Sequence, residues 1–311
     1  MKKYPISSEF FPFSILTPPI RSPKMAGWLG SLMRPPRWLR RDSEVSVHRE
    51  VLTSYDGAEI EVLVFDPYRL EGSAPCLLYY HGGGFFFGGS GHHYRMAKAY
   101  ALEAGCRVVF VQYRLAPKHP HPTPSEDCYA ALQWTFANAD RLNILPEKVA
   151  VGGDSAGGAL AAAVCQMARD RGTPLPCLQL LLYPVTDRRM ETESQRQYTD
   201  TPVWNSKLSV KMWQGYLPDP EAPQLAYASP MEASSFARLP AAYLETAEFD
   251  CLHDEGIAYG KALQSAGVPV FFHETKGTMH GFDIMENAPT TRQALSARIQ
   301  YLREHFYPQQ N

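Results

Sequence analysis

The stretch Val149-Ala150-Val151-Gly152-Gly153-Asp154-Ser155-Ala156-Gly157 decides the fold of this chain. Its first four residues predict a buried strand, and the alanine-rich run from Ala159 to Arg169 predicts a helix. The Gly-x-Ser-x-Gly sequence between them is a tight turn. It needs small residues two positions before and after the serine, because a Cβ atom there would collide with the strand and the helix. The pentapeptide alone is a weak signal, so its position between a strand and a helix is what makes it informative.

Further apolar runs alternate with helical stretches on both sides of this unit. The runs are Cys76 to Tyr80, Val108 to Tyr113, Leu178 to Tyr183, Ala242 to Ala247 and Val268 to His273. This alternation predicts an α/β fold with a mostly parallel sheet and helices on both faces. Two alternating segments between Glu44 and Phe65 flank Asp56-Gly57, which predicts an antiparallel hairpin at the start of the sheet.

Three helices have additional local support. Thr123-Pro124-Ser125-Glu126 combines an N-cap, a proline at the first position and a glutamate at the third, ahead of Cys128 to Ala137. The run from Asp254 to Ala266 ends at Gly267, and Thr291 to Phe306 has an amphipathic pattern. These signals predict helices at the three places.

Composition excludes several classes of protein. The chain has 311 residues, long enough for one large domain or two small ones, and a formal net charge of −2 with no long basic run. Nucleic acid is therefore not an expected partner. No apolar stretch is long enough for a membrane span, and no signal peptide pattern is present. The six cysteines are widely spaced, which predicts free thiols and a cytoplasmic location.

Two segments interrupt the alternation of predicted strands and helices and are expected to form a helical cap. The first is the segment 1–44, and the second is an insertion at about 187–226 within the catalytic domain 45–311. Between Lys24 and Arg41 the first segment mixes cations with Trp28, Leu32 and Trp38, and could contact a membrane surface instead. Prolines 35 and 36 interrupt any long helix there, which favours the cap.

A glycine-rich loop, His81-Gly82-Gly83-Gly84-Phe85, directly follows the predicted strand Cys76 to Tyr80. Glycines let backbone N–H groups approach an oxyanion closely. Such a loop, together with the N–H of the residue after the nucleophile, is a known arrangement of donors for acyl transfer. The alternative is a phosphate-binding loop, which the absence of a Walker A or G-x-G-x-x-G pattern disfavours.

An acid follows the serine in the chain. Asp250 ends the predicted strand segment that closes with Glu245 to Phe249, so it would lie at the same sheet edge as Ser155. Asp254 and Glu255 are alternatives, but they open the next helix and are expected to cap it.

A histidine completes the order serine, acid, histidine. His280 lies in Gly277-Thr278-Met279-His280-Gly281-Phe282, expected to be a loop after the strand Val268 to His273. His273 is the alternative, and its place inside the strand predicts a structural role. The pairs His92-His93 and His119/His121 have no nearby acid cluster, so neither a metal nor any other cofactor is expected.

These motifs together resemble the bacterial hormone-sensitive-lipase family of esterases, in its GDSAG branch, within the α/β-hydrolase superfamily. The matching sequences are His81 to Phe85, Tyr113-Arg114-Leu115-Ala116-Pro117, Gly153 to Gly158, Asp250 with Asp254-Glu255, and His280-Gly281-Phe282. They span about two thirds of the chain in the family's order. The chain departs from the family pattern at Lys118 and Cys251, and neither position supplies a catalytic atom.

The resemblance implies a serine carboxylesterase. It implies that Ser155 is the nucleophile, His280 the general base and acid, and Asp250 the residue that orients the histidine. The N–H groups of Gly83, Gly84 and Ala156 would form the oxyanion hole. His81 would organise the loop, and the peptide bonds before Pro117 and Pro122 would be cis.

Small-molecule esters with short to medium acyl chains are the expected substrates. Phe85, Val203 and Trp204 are expected to line an apolar substrate pocket under the cap, together with Phe86, Phe87 and Trp213. An amidase with the same machinery and a non-catalytic receptor are the alternatives, and retention of His280 argues against the receptor. An exposed terminal strand, Val268 to His273, would permit a homodimer.

Overall fold

The computed structural model describes residues 3–31, 33, 36, 39 and 42–308. Its eight strands are β1 (Val45–Thr53), β2 (Glu59–Pro67), β3 (Ala74–Tyr80), β4 (Arg107–Gln112), β5 (Ile144–Asp154), β6 (Leu178–Leu182), β7 (Ala241–Phe249) and β8 (Val270–Met279). The α-helices of these residues are α1 (Pro23–Ser31), α2 (Gly91–Glu103), α3 (Thr123–Ala137), α4 (Ala156–Arg171), α5 (Glu193–Gln197), α6 (Ser206–Tyr216), α7 (His253–Ser265) and α8 (Pro289–Phe306).

The strands form one sheet in the order β1-β2-β4-β3-β5-β6-β7-β8. Strand β2 runs antiparallel to both of its neighbours, and the remaining pairs are parallel. Buried apolar side chains pack on both faces of the sheet, beneath the helices. The α/β fold, the opening hairpin and the mostly parallel sheet agree with the sequence expectation. Because β5 is central, the serine that follows it lies over the middle of the sheet's carboxyl edge.

Two local expectations were wrong. Strand β8 extends to Met279, whereas the sequence predicted an end at His273, so His280 leaves the strand directly rather than lying within a long loop. Helix α3 begins at Thr123, and that residue makes no capping hydrogen bond. The Glu126 side chain at the start of α3 instead forms an ion pair with Arg171. In both cases long-range packing outweighed the local signal.

The N-terminal segment is joined to the insertion between β6 and β7 by backbone and side-chain hydrogen bonds. The N–H of Val203 donates to the carbonyl of Leu16 at 2.7 Å, and Nζ of Lys211 donates to the carbonyl of Ile20 at 2.7 Å. Trp28 on α1 is 63% exposed. The expectations about Leu32, Pro35 and Trp38 fall outside the described residues.

Four further expectations concern dimerisation, the cysteines, membrane spans and cis peptide bonds. Strand β8 stands at one end of the sheet, and Phe271 on it is half exposed, but the homodimer stays a prediction. All six cysteines carry free thiols. Within the described part of the chain, no helix has both the length and the apolar character needed to cross a bilayer. The peptide bonds before Pro117 and Pro122 are cis, and so is the bond before Pro12.

Candidate active site

Ser155 lies on a sharp turn between β5 and α4. Its φ of 55° is in the left-handed region, which an L-residue rarely adopts. The flanking glycines are required by close packing: a Cβ on Gly157 would lie 1.8 Å from the carbonyl oxygen of Tyr80, and one on Gly153 would lie 2.3 Å from the same oxygen. The close approach of the carboxyl end of β3 to the turn therefore explains why both positions are glycine.

His280 and Asp250 meet Ser155 at the carboxyl edge of the sheet. Nδ1 of His280 lies 2.7 Å from Oδ2 of Asp250, and Nε2 lies 2.9 Å from Oγ of Ser155. A carboxylate can only accept, so Nδ1 carries a hydrogen and Nε2 of the neutral ring can accept from the serine hydroxyl. All three side chains are buried, with Asp250 fully excluded from solvent. This chain of hydrogen bonds can transfer a proton from Ser155 to His280.

The glycine-rich loop after β3 faces Ser155. Gly83 and Gly84 have φ values of 112° and 59°, conformations that suit glycine. Among the described residues, no hydrogen-bond acceptor is found for the N–H groups of Gly83, Gly84 or Ala156. The three predicted donors are therefore unused within these residues, and Gly83 and Gly84 line the same cavity as Ser155.

Buried polar side chains hold this loop in place. The ring of His81 stacks on Tyr113, with centroids 4.4 Å apart, and the Tyr113 hydroxyl donates to the His81 carbonyl at 2.6 Å. Burial and the neighbouring His93 lower the pKa of His81 to about 4, so its ring is neutral. Asp154 accepts from the N–H of Gly82 at 2.9 Å. These contacts agree with a structural role for His81.

A cavity of about 200 Å³ opens above Ser155 and His280. Val203 and Trp204 line it as expected, and so does Phe87. The expectation for Phe85 was wrong: its ring is fully buried and stacks on Tyr216 of the insertion, with centroids 3.6 Å apart. The consecutive phenylalanines follow a tight turn, so their side chains point in different directions, and sequence alone could not tell which one faces the substrate.

The roof of the cavity is formed by the insertion. A Cβ on Gly84 would lie 2.6 Å from the ring of Trp204, which therefore covers the glycine-rich loop closely. Nε1 of Trp204 donates to Oγ of Ser209 at 3.0 Å, which fixes the indole. Val203 has a φ of 62°, unfavourable for a β-branched residue. A larger depression of about 1080 Å³, lined by charged residues such as Arg69 and Glu103, lies away from this chemistry.

A polar cluster on one wall of the cavity was missed by the sequence analysis. Nε2 of His93 lies 3.2 Å from Oδ2 of Asp154, and His92 lies beside them, so one atom from each of the three residues falls within 4.8 Å of the others. The expectation that no acid accompanies the His92-His93 pair was wrong, because Asp154 reaches it from a distant part of the sequence. Ser90 lies between the two histidines and hydrogen-bonds to both of them.

The turn that carries His280 is anchored by a buried ion-pair network. Arg298 on α8 is fully buried and donates to Asp283 at 2.9 Å and to Glu245 on β7 at 3.0 Å. The hydroxyl of Tyr183 donates to Asp283 at 2.6 Å, and its ring packs edge-on against His280 with centroids 5.0 Å apart. No local sequence pattern signals this network, because its members come from four separate elements.

The two acidic alternatives to Asp250 hold the insertion instead of capping their own helix. Asp254 accepts from the N–H of Ser194 at 2.8 Å. Glu255 is buried and accepts from the N–H of Thr186 at 2.8 Å and from Nε2 of Gln195 at 2.9 Å. Burial raises the pKa of Glu255 to about 8, against the effect of these hydrogen bonds. His273 lies 3.2 Å from Glu245, away from Ser155.

Comparisons with known proteins identify a matching family and several related esterases. A model for the alpha/beta hydrolase fold family matches residues 77–284. Esterase LipI of Mycobacterium tuberculosis is 39% identical over 217 residues, which cover 68% of this chain and 67% of LipI. Ethyl acetate hydrolase of Pseudomonas putida is 34% identical over 264 residues, which cover 82% and 81% of the two chains. The solved structure of a bacterial heroin esterase matches with a TM-score of 0.83 and 36% identity, over 91% of this chain and 90% of that one.

Proposed function

Because this chain belongs to the hormone-sensitive-lipase family of α/β hydrolases and is a carboxylic ester hydrolase, we propose that Ser155, His280 and Asp250 are its catalytic triad. We propose short- to medium-chain acyl esters as the substrates. The observation that carries the proposal is the continuous hydrogen-bonded chain from Asp250 through His280 to Ser155, at 2.7 and 2.9 Å.

The first half of the reaction acylates the enzyme. Oγ of Ser155 attacks the ester carbonyl carbon while its proton passes to Nε2 of His280. The negative charge that develops on the carbonyl oxygen is stabilised by the N–H groups of Gly83, Gly84 and Ala156. The tetrahedral intermediate collapses when the C–O bond to the alcohol breaks, and His280 gives its proton to the departing alcohol.

The second half releases the acid. A water molecule attacks the acyl-enzyme carbonyl, and His280 takes its proton. The bond to Oγ of Ser155 then breaks, and the imidazolium returns the proton to the serine. Asp250 stays ionised throughout, holding the ring orientation and stabilising the imidazolium.

The size of the cavity supports the preference for short chains. Its volume of about 200 Å³ is below the roughly 300–1,000 Å³ typical of sites for drug-sized ligands. Trp204 and Val203 close it on the cap side. We propose that the segments 1–44 and 187–226 together form this cap. The ethyl acetate hydrolase relative, named for a small ester, supports the same substrate class.

Hydrolysis of p-nitrophenyl acetate, butyrate, octanoate and palmitate tests the proposal. The wild type is expected to turn over the short esters, and Ser155→Ala to lose at least about 10⁴-fold in kcat. Ser234→Ala, at an exposed position, is the matched control and should keep wild-type rates. Full activity in Ser155→Ala would contradict the assigned nucleophile, and a wild-type optimum at palmitate would contradict the assigned chain length.

A further inference from the structure

Most of the cavity wall is apolar. Its apolar part consists of Pro18, Met33, Phe87, Val203, Trp204 and Ile284. Outside the proposed catalytic groups and the polar pair His93 and Asp154, the polar side chains of the wall are Ser90, His92 and Tyr183, and the Tyr183 hydroxyl already donates to Asp283. A polar side chain on an apolar wall is unfavourable unless it finds a hydrogen-bond partner. The positions of its hydrogens therefore indicate whether it can donate to, or accept from, a bound molecule.

The hydrogen bonds around Ser90 determine the tautomer of His92. The backbone N–H of Ser90 donates to Nδ1 of His93 at 3.0 Å and occupies the lone pair of that nitrogen. The hydroxyl oxygen of Ser90 lies 2.6 Å from Nδ1 of His92 and 3.1 Å from Nδ1 of His93. The hydroxyl hydrogen therefore goes to Nδ1 of His92, the closer and unoccupied acceptor. The hydrogen of the neutral His92 ring is then on Nε2.

Nε2 of His92 takes no part in the hydrogen bonds around Ser90. Burial and the neighbouring His93 lower the pKa of His92 well below its usual value, so the ring is neutral and has one donor and one acceptor. Within the part of the chain that the structure describes, its Nε2 has no hydrogen-bond partner, and it is not among the fully buried polar atoms. A half-buried imidazole on the cavity wall thus presents one unused N–H donor.

We propose that His92 determines specificity by donating its Nε2 hydrogen to an acceptor oxygen that the substrate carries in addition to its ester group. The inference rests on the proposed esterase function and narrows it. The favoured substrates are short esters with an ether, hydroxyl or carbonyl oxygen in the acyl or alcohol part, rather than plain alkyl esters. Ser90 is a positioning residue that acts through His92.

The proximity of His92, His93 and Asp154 is explained by hydrogen bonds, without a metal ion. Both nitrogens of His93 are engaged, one by the N–H of Ser90 and the other with Asp154 at 3.2 Å. The other oxygen of Asp154 accepts from the hydroxyl of Tyr79 at 2.8 Å. A cation would have to displace these bonds, whereas a substrate oxygen can reach His92 without disturbing any of them.

Two pairs of esters of matched shape test the proposal. On the alcohol side, butyl acetate is compared with 2-methoxyethyl acetate, and on the acyl side, ethyl butanoate is compared with ethyl methoxyacetate. In each pair one methylene group is replaced by an oxygen. The quantity measured is the ratio of kcat/KM for the oxygen-bearing ester to that for the plain one, with acid release followed by titration at constant pH. Dividing the ratio of a variant by that of the wild type removes the intrinsic reactivity of each ester.

His92→Leu is expected to lower this ratio by about three- to tenfold for at least one pair, the effect of one neutral hydrogen bond. His92→Gln, which restores an N–H donor, should recover the ratio to within about twofold. His48→Leu on β1, far from the cavity, is the matched control and should leave the ratio at the wild-type value. If His92→Leu does not fold, Ser90→Ala gives the same test, because loss of the hydroxyl frees the tautomer of His92 and should lower the ratio.

The outcomes separate the two proposals. Unchanged ratios for both pairs in His92→Leu and Ser90→Ala, with all four esters still hydrolysed, would overturn the role of His92 and leave the esterase function standing. A wild type that hydrolyses none of the four esters would overturn both. A lowered ratio that His92→Gln does not recover would also overturn the role of His92, because it would point to shape rather than hydrogen bonding.

Discussion

Replacing Arg298 with methionine removes the cation between two buried carboxylates. Arg298 and Glu245 are fully excluded from solvent, and Asp283 is 2% exposed. Breaking a buried ion pair by removing one partner typically lowers the free energy of unfolding by about 3–5 kcal/mol. Burial would raise the pKa of Glu245, but the charge of Arg298 and hydrogen bonds from His273 and Arg298 hold it at about 2 instead of 4.5.

The pH dependence gives this prediction a second, independent check. A carboxyl whose pKa is depressed in the folded protein contributes stability that is fully present above about pH 4.5 and is lost as the pH falls towards 2. Without Arg298, burial is opposed on Glu245 by the smaller effect of His273 and raises the pKa of the carboxyl, which then takes up a proton as the pH is lowered. The free energy of unfolding of Arg298→Met should therefore fall further below that of the wild type at pH 8 than at pH 5.

Urea unfolding of the wild type, Arg298→Met and Arg303→Met at both pH values measures the deficit. Arg303 lies on the same helix but is exposed, so its replacement should change the free energy of unfolding by less than about 0.5 kcal/mol. A deficit below about 1 kcal/mol at pH 8 for Arg298→Met, or one that grows as the pH falls, would refute the reasoning.

Four further outcomes are expected. Asp250→Asn should lower kcat on p-nitrophenyl butyrate by about 10⁴-fold, because the amide favours the wrong imidazole tautomer. Gly157→Ala should yield little folded protein by circular dichroism, since its Cβ would lie 1.8 Å from a carbonyl oxygen of β3, whereas Gly172→Ala, which meets open space, should cost only about 1 kcal/mol in urea unfolding. Trp204→Ala should shift the chain-length optimum towards longer esters, because the indole roofs the cavity. A thiol reagent should label at most one cysteine in the native protein, since all but the half-buried Cys177 are buried and burial raises the pKa of Cys177 to about 11.

The sequence predicted the sheet and the meeting of Ser155, Asp250 and His280 because those features depend on local signals. Each of these signals lies within a short stretch of sequence: a pair of glycines, an apolar run, or a residue at the end of a strand. The end of β8 could not be predicted, because Glu274 to Thr278 are polar and join the strand only through pairing with β7. The local composition there indicates a loop, but backbone pairing with β7 makes these residues part of the strand.

The cavity wall was harder to predict than the proposed catalytic groups. Phe85 was expected to face the substrate, but the positive φ at this position, 61°, turns it into the core. The sequence singled out the His92-His93 pair but not the proposed role of His92, because Ser90 is the N-cap residue of α2 and Asp154 comes from the distant strand β5. Side-chain direction in an irregular loop depends on backbone angles, and no periodic pattern reports them.

The hydrogen bond between Leu16 and Val203 also has a consequence for synthesis of the protein. Leu16 leaves the ribosome 187 residues ahead of Val203, which at about 5–20 residues per second is roughly 10–40 s. During that interval the N-terminal segment lacks the insertion to which it is hydrogen-bonded in the folded protein. The N-terminal segment is thus synthesised well before the residues that hold it in place, and it stays open to proteases and chaperones until they follow.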